Sequence, residues 1–152
     1  MARRAGEPVE RRLAFWETSA LVPLCVRQSG TPRAIALYKS YEAVIWWATP
    51  VEIASSLARL ARMKELNSGE WAKARKLAAE LATSWFVIQP SDVLRARATS
   101  LVNLYDLRAA DALQLAASLE WCAGVPHGKK FLAADQKLRE AAILTGFEVE
   151  WI

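Results

Sequence analysis

The chain is short of the residues that most often build catalytic or structural sites. It has one histidine, His127, and two cysteines, Cys25 and Cys122, which stand far apart and in no C-x-x-C. Zinc sites of His and Cys and disulfide scaffolds therefore have almost no raw material. His127 lies in a loop before an expected strand and reads as a solvated surface residue. Long apolar runs are missing too: the longest uncharged stretch, Leu81 to Ser91, has eleven residues, against the roughly 20 that span a bilayer. Glu7, Glu10 and Glu17 interrupt the pattern that a secretion signal needs, so a cytoplasmic protein with reduced thiols and no membrane partner is expected. Six Gly and six Pro are too few for a loop-rich or disordered chain.

What remains is apolar and carboxylate-rich. Of 152 residues, 53% are hydrophobic and 24% charged, the profile of one globular domain with a sizeable core. With sixteen Asp and Glu and almost no His or Cys, any chemistry runs on carboxylates. The net charge of +4 is compatible with a nucleic-acid partner, but half of it sits in residues 1–12, MARRAGEPVERR. That segment is expected to be a flexible basic tail, with one domain over 13–152.

Along the domain, short apolar runs alternate with segments of helical period. Expected strands are Leu13 to Trp16, Ala43 to Ala48, Trp85 to Ile88, Phe131 to Ala133 and Phe147 to Trp151. Helices are expected between them: Thr18 to about Arg27, a stretch through Tyr38, one opening at Thr49-Pro50-Val51-Glu52, and one after Asn67-Ser68-Gly69. Three more carry Leu94 to Tyr105, the Ala/Leu-rich segment up to Gly124, and Asp135 to Thr145. Thr49 as N-cap with Glu52 three residues on reads as a capping box, and Asp135 reads as an N-cap. Trp16, Trp46, Trp85 and Trp151 are expected in the core. Alternating strands and helices predict an α/β fold with a parallel sheet of four to five strands covered on both faces.

In such sheets ligands bind beyond the carboxyl ends of the strands. Glu17 ends the first strand, Glu52 begins the helix after the second, and Asp135 lies just past the fourth. Asp111 sits among Ala109, Ala110, Ala112 and Leu113, where a carboxylate needs a partner, a proton or a metal. Four such acids with no histidine suit a hard cation, Mg²⁺ or Mn²⁺, able to polarise a phosphodiester while a carboxylate takes a proton from water.

The segments FWETSALVPL (15–24), TPVEIASSLARL (49–60), LRAADALQLAAS (107–118) and FLAADQKLREAA (131–142), in this order and spacing, resemble the PIN-domain ribonucleases, most of all the VapC-like toxins of toxin–antitoxin pairs. The resemblance covers nearly all of 13–152. It implies a three-layer α/β/α fold and Mg²⁺- or Mn²⁺-dependent cleavage of RNA, tRNA or rRNA being the candidate substrates. It also implies a homodimer and a cognate antitoxin whose tail enters the acidic groove. By position it assigns Glu17, Glu52, Asp111 and Asp135 to catalysis, Glu17, Asp111 and Asp135 among them to the metal, and Ser19 to ordering the first carboxylate.

Two positions depart from the family pattern. Glu17 stands where members have Asp, which carries the carboxylate about 1.5 Å further out, and Ala133 stands where many have Thr or Ser. Bland readings exist beside the sharp one: Glu52 as a capping-box residue, Asp135 as a plain N-cap, Asp111 paired with Arg108, Glu17 merely exposed. Arg59, Lys129 and Lys130 are candidate RNA contacts, with Arg27 and Arg62 as further surface arginines, and all are equally ordinary solvated cations. Glu17 also motivates an alternative function, a catalytically impaired binding module of the same fold for RNA or protein. The sequence argues against a third reading, a phosphorylation-receiver-like switch: that fold needs a phospho-accepting Asp after its third strand and a Lys after its fifth, whereas Gln89 and Pro90 follow the third strand here and the chain stops after the fifth.

Overall fold

The computed structural model describes residues 12–152. The expected N-terminal tail lies outside the described residues except for Arg12, which opens the first strand. Among these residues five strands form: β1 (Arg12–Trp16), β2 (Tyr41–Trp46), β3 (Phe86–Ile88), β4 (Lys130–Ala133) and β5 (Glu148–Trp151). All pairings are parallel, in the order β3-β2-β1-β4-β5. Seven helices connect them: α1 (Thr18–Cys25), α2 (Thr31–Ser40), α3 (Thr49–Arg62), α4 (Ser68–Ala82), α5 (Asp92–Leu104), α6 (Ala109–Trp121) and α7 (Gln136–Thr145).

The period of two along each strand sorts side chains into two cores. Ala14, Trp16, Ala43, Ile45 and Leu132 face one side and are covered by α1 to α4; Phe15, Val44, Trp46, Phe131 and Ala133 face the other and are covered by α5 to α7. This is the three-layer, PIN-like α/β/α architecture expected. Phe15 and Phe131 sit side by side in the β1–β4 register and stack at 5.4 Å; their full burial stabilises the fold by roughly 2–3 kcal/mol each.

Boundaries move where tertiary contacts decide them. β2 runs two residues ahead of the expected 43–48, because Trp47 and Ala48 form the turn into α3, and Trp47 is 55% exposed. Trp151, expected in the core, is 66% exposed: β5 is an edge strand, and Arg139 rather than a second layer lies over its ring. Trp16, Trp46 and Trp85 are buried as expected. The last helix stops at Gly146, whose φ of 115° is a left-handed C-cap that a side chain would strain.

The strand order has one reversal. The chain builds outward from β1 through β2 to β3, then crosses back to lay β4 on the other side of β1. The crevice beyond the carboxyl ends of β1 and β4 is therefore the switch point of the sheet.

Candidate active site

Glu17 follows β1 directly and is the N-cap of α1, its side chain accepting from the backbone N–H of Ser19 at 2.9 Å. The Ser19 hydroxyl donates to the same oxygen, Oε2. That hydroxyl also accepts the backbone N–H groups of Ala134 (2.8 Å) and Asp135 (3.2 Å). One serine thus ties the carboxylate after β1 to the loop after β4. Glu17 is only 5% exposed. Burial, above all, pushes its carboxyl up from the ordinary 4.5 to about 7, against the pull of the Ser19 bonds and with help from the charges of Glu52 and Asp111.

Asp135 caps α7, accepting from the Leu138 N–H at 2.9 Å, so the bland capping role is real. One carboxylate oxygen does that work; the side chain also faces Asp111 across a cleft of about 570 Å³ lined by both acids and by Asp106, Arg108, Gln136 and Lys137. Asp111 lies in the first turn of α6 and is half-buried. Burial first, and then the charge of Asp135, raise its carboxyl above the usual range, while Arg108 pulls it back through a backbone hydrogen bond and its charge. Lys137 and Asp106 pair at 2.6 Å on the exposed rim. Lys137 is a cation of this rim that the sequence pattern did not single out, and Arg108 entered that pattern only as a pairing partner for Asp111.

Glu52 overturns the expected capping box. The N-cap of α3 is Ala48, without a side-chain cap, and Thr49 is already inside the helix. The Thr49 hydroxyl is instead buried against Gln114, whose Nε2 donates to it at 3.1 Å. Glu52 Oε2 accepts from Gln114 Nε2 at 2.6 Å and from the Thr18 hydroxyl at 2.5 Å, and Thr18 Oγ1 in turn accepts from Gln114 at 2.9 Å. Thr18, Thr49 and Gln114 were missed as site residues. Their one sequence signal is a polar side chain three residues after Asp111 in an otherwise apolar helix.

The four acids occupy one edge of the sheet, linked by near neighbours: Glu17 with Glu52 and Asp111, and Asp111 with Asp135. They do not close on one point. Among the described residues no three His, Cys, Asp or Glu side chains converge closely enough to hold a metal ion. The reason is visible in the hydrogen bonds, with Glu17 folded onto Ser19 and Glu52 onto Thr18 and Gln114. The donor set nevertheless fits a hard divalent cation: all the donors are oxygens, the Glu17 and Asp111 carboxyls are destabilised as anions by burial and by neighbouring carboxylates, and Mg²⁺ keeps several waters and needs only one or two carboxylates.

The other candidates lie elsewhere. Lys130 opens β4, at the opposite end of the strand from Asp135, and pairs with Glu148 and Glu150 at 3.0 and 3.2 Å. Lys129 lies beside it, over the ring of Trp121. Arg59 is exposed in the last turn of α3 with Arg62, about 10 Å along the axis from Glu52. Arg27 and His127 are exposed on loops.

The sequence matches no protein-family model and none of the curated proteins. Its fold does match solved structures. A chain of a toxin–antitoxin complex from Klebsiella pneumoniae aligns with a TM-score of 0.57 and 17% identity over 82% of this chain and 88% of that one. A chain of FitAcB from Neisseria gonorrhoeae aligns with a TM-score of 0.59 and 15% identity over 90% of this chain and 97% of that one. At such identities the likeness is one of fold.

Proposed function

We propose that this chain is a Mg²⁺- or Mn²⁺-dependent endoribonuclease of the PIN type and the toxin of a toxin–antitoxin pair, working in the cytoplasm as a homodimer under the control of a cognate antitoxin. The observation that carries the reading is the gathering of Glu17, Glu52, Asp111 and Asp135, from four different elements, at the switch point of the sheet. The fold, shared with a chain of a toxin–antitoxin complex, supports the biological role.

Glu17, Asp111 and Asp135 are the residues that would hold the cation. When bound, it supplies positive charge against the phosphodiester oxygens and makes water easier to deprotonate. Glu52 is placed to accept that proton: its Oε2 is held by Thr18 and Gln114, while Oε1 has no partner among the described residues. Arg108 and Lys137, on the rim of the cleft, supply cations where an RNA backbone would pass. Ser19 keeps the β1 and β4 ends in register so that the acids act on one substrate position. Buried carboxyls that resist ionisation alone become good ligands once a divalent cation offsets their charge.

One observation favours a second reading, an inactive binding module: the long side chain of Glu17 is folded back onto Ser19 and no three acids converge. Incubation of the purified protein with total tRNA, with and without Mn²⁺, tests both. Metal-dependent cleavage that EDTA and Asp111→Asn each abolish is the expected result. Cleavage indifferent to EDTA or to Asp111→Asn would sink the nuclease reading. An inert native protein that gains cleavage with Glu17→Asp would establish the second one.

A further inference from the structure

Gln114 is 1% exposed on α6, among Ala112, Leu115, Ala116 and Ala117, all fully buried. It is costly there. Its Nε2 has two hydrogens and faces three oxygens, those of Glu52, Thr18 and Thr49, while its Oε1 is buried with no hydrogen-bond partner among the described residues. The opposite amide orientation would set a carbonyl oxygen 2.6 Å from the Glu52 carboxylate, acceptor against acceptor. The charge of Glu52 therefore dictates how the amide sits, and the orphaned Oε1 is the consequence. A methionine would fill the same space without an orphaned acceptor. What the glutamine adds is its grip on Glu52.

We infer that Gln114 is a positioning residue that acts through Glu52: with Thr18 it clamps one carboxylate oxygen, Oε2, and so fixes the other, Oε1, toward a water of the divalent cation that Glu17, Asp111 and Asp135 would hold. The clamp joins three elements, α1 through Thr18, α3 through Glu52 and Thr49, and α6 through Gln114. It explains why Thr49 is turned inward and not toward the helix start, since its hydroxyl is the third oxygen that the amide meets. The inference rests on the proposed reading that the acidic cleft holds a divalent cation.

The test is a Mn²⁺ titration of purified, metal-free protein, followed by water-proton relaxation, alongside the melting temperature without metal. Gln114→Met is expected to weaken Mn²⁺ binding about tenfold, the lower end of what removing a partner of a metal-site carboxylate costs, while melting close to the native temperature. Glu52→Gln should weaken binding by a similar factor, and the double substitution by no more than either single one. Thr18→Val should behave like Gln114→Met and Thr18→Ser like the native protein, which decides the matter if Gln114→Met does not fold. Mn²⁺ binding unchanged in both Gln114→Met and Thr18→Val overturns the inference and leaves the nuclease reading standing. So does a Gln114→Met effect that is as large in the Glu52→Gln background as in the native one. A native protein that binds no Mn²⁺ overturns the functional reading itself and this inference with it.

Discussion

At the scale of single residues, Ser19 does more for the site than any of the acids does alone. Its hydroxyl donates once, to Glu17, and accepts twice, from the N–H groups of Ala134 and Asp135, which fills its whole hydrogen-bonding capacity. Ser19→Ala removes all three bonds, leaves two backbone donors without an acceptor and withdraws one of the contacts that favour Glu17 as an anion. The Ala134 N–H is part-buried and the Asp135 N–H exposed, so the expected cost is about 1 kcal/mol of stability, that of an ordinary hydrogen bond lost, read from urea unfolding. Cleavage should fall by about 10 to 100-fold, as it does when the partner of a metal-site ligand is lost. A Ser19→Ala protein with native stability and native cleavage would mean that the loop after β4 is held by other contacts and that Glu17 does not depend on the link.

At the scale of elements, the start of α7 gives a way to separate the structural role of one side chain from the chemical role proposed for it. Asp135 caps the helix through the Leu138 N–H and faces Asp111 across the cleft. Asn caps as well as Asp does, whereas Ala loses about 1 kcal/mol. Asp135→Asn should therefore unfold at the native urea concentration yet lose metal-dependent cleavage, and Asp135→Ala should lose both. Equal cleavage by Asp135→Asn and the native protein would reduce Asp135 to a cap. This helix was legible in the sequence because its signal is local: an N-cap acid, apolar residues at helical spacing and a glycine at the end. The start of α3 was not. Thr49 and Glu52 have capping-box spacing, but both are claimed by Gln114, 65 and 62 residues away, and a contact at that distance leaves no mark on local periodicity. Trp151 was misjudged for a related reason: a strand's apolar residue is buried only if its sheet has a neighbour or a layer on that side, and β5 is an edge. Glu17, Glu52 and Asp135 could be assigned to one sheet edge because strand ends are readable from apolar runs, and Asp111 stood out as a carboxylate in an apolar helix, while the clamp around Glu52 was not legible, because it joins residues 34 to 96 positions apart.

For the molecule as a whole, the arrangement that makes the site is also one that strains it. Alternation of strands and helices foretold the parallel sheet, but the order β3-β2-β1-β4-β5, which brings Glu17 and Asp135 to one crevice, depends on long-range pairing. Folding then buries Glu17 beside Glu52 and Asp111 and half-buries Asp111 beside Asp135, with Glu17 raised to about 7 and Asp111 raised above its ordinary range by burial and then by the charge of Asp135. In the unfolded chain Glu17 ionises near 4.5. Between pH 4.5 and 7 the folded state therefore holds a proton that the unfolded state has released, so stability falls as pH rises through that window and levels off above it. For Glu17 alone the loss is roughly 3 kcal/mol at most, from the cost of one pKa unit. A divalent cation reverses the trend, because it binds the ionised carboxylates and its affinity rises as their protons leave. Melting temperatures of the protein in EDTA should fall from pH 5 to pH 8, and added Mn²⁺ should raise them by more at pH 8 than at pH 5. A melting temperature in EDTA that holds steady or climbs over that range would mean that Glu17 ionises as freely in the fold as out of it, and the crevice would then carry no unbalanced charge for a cation to relieve.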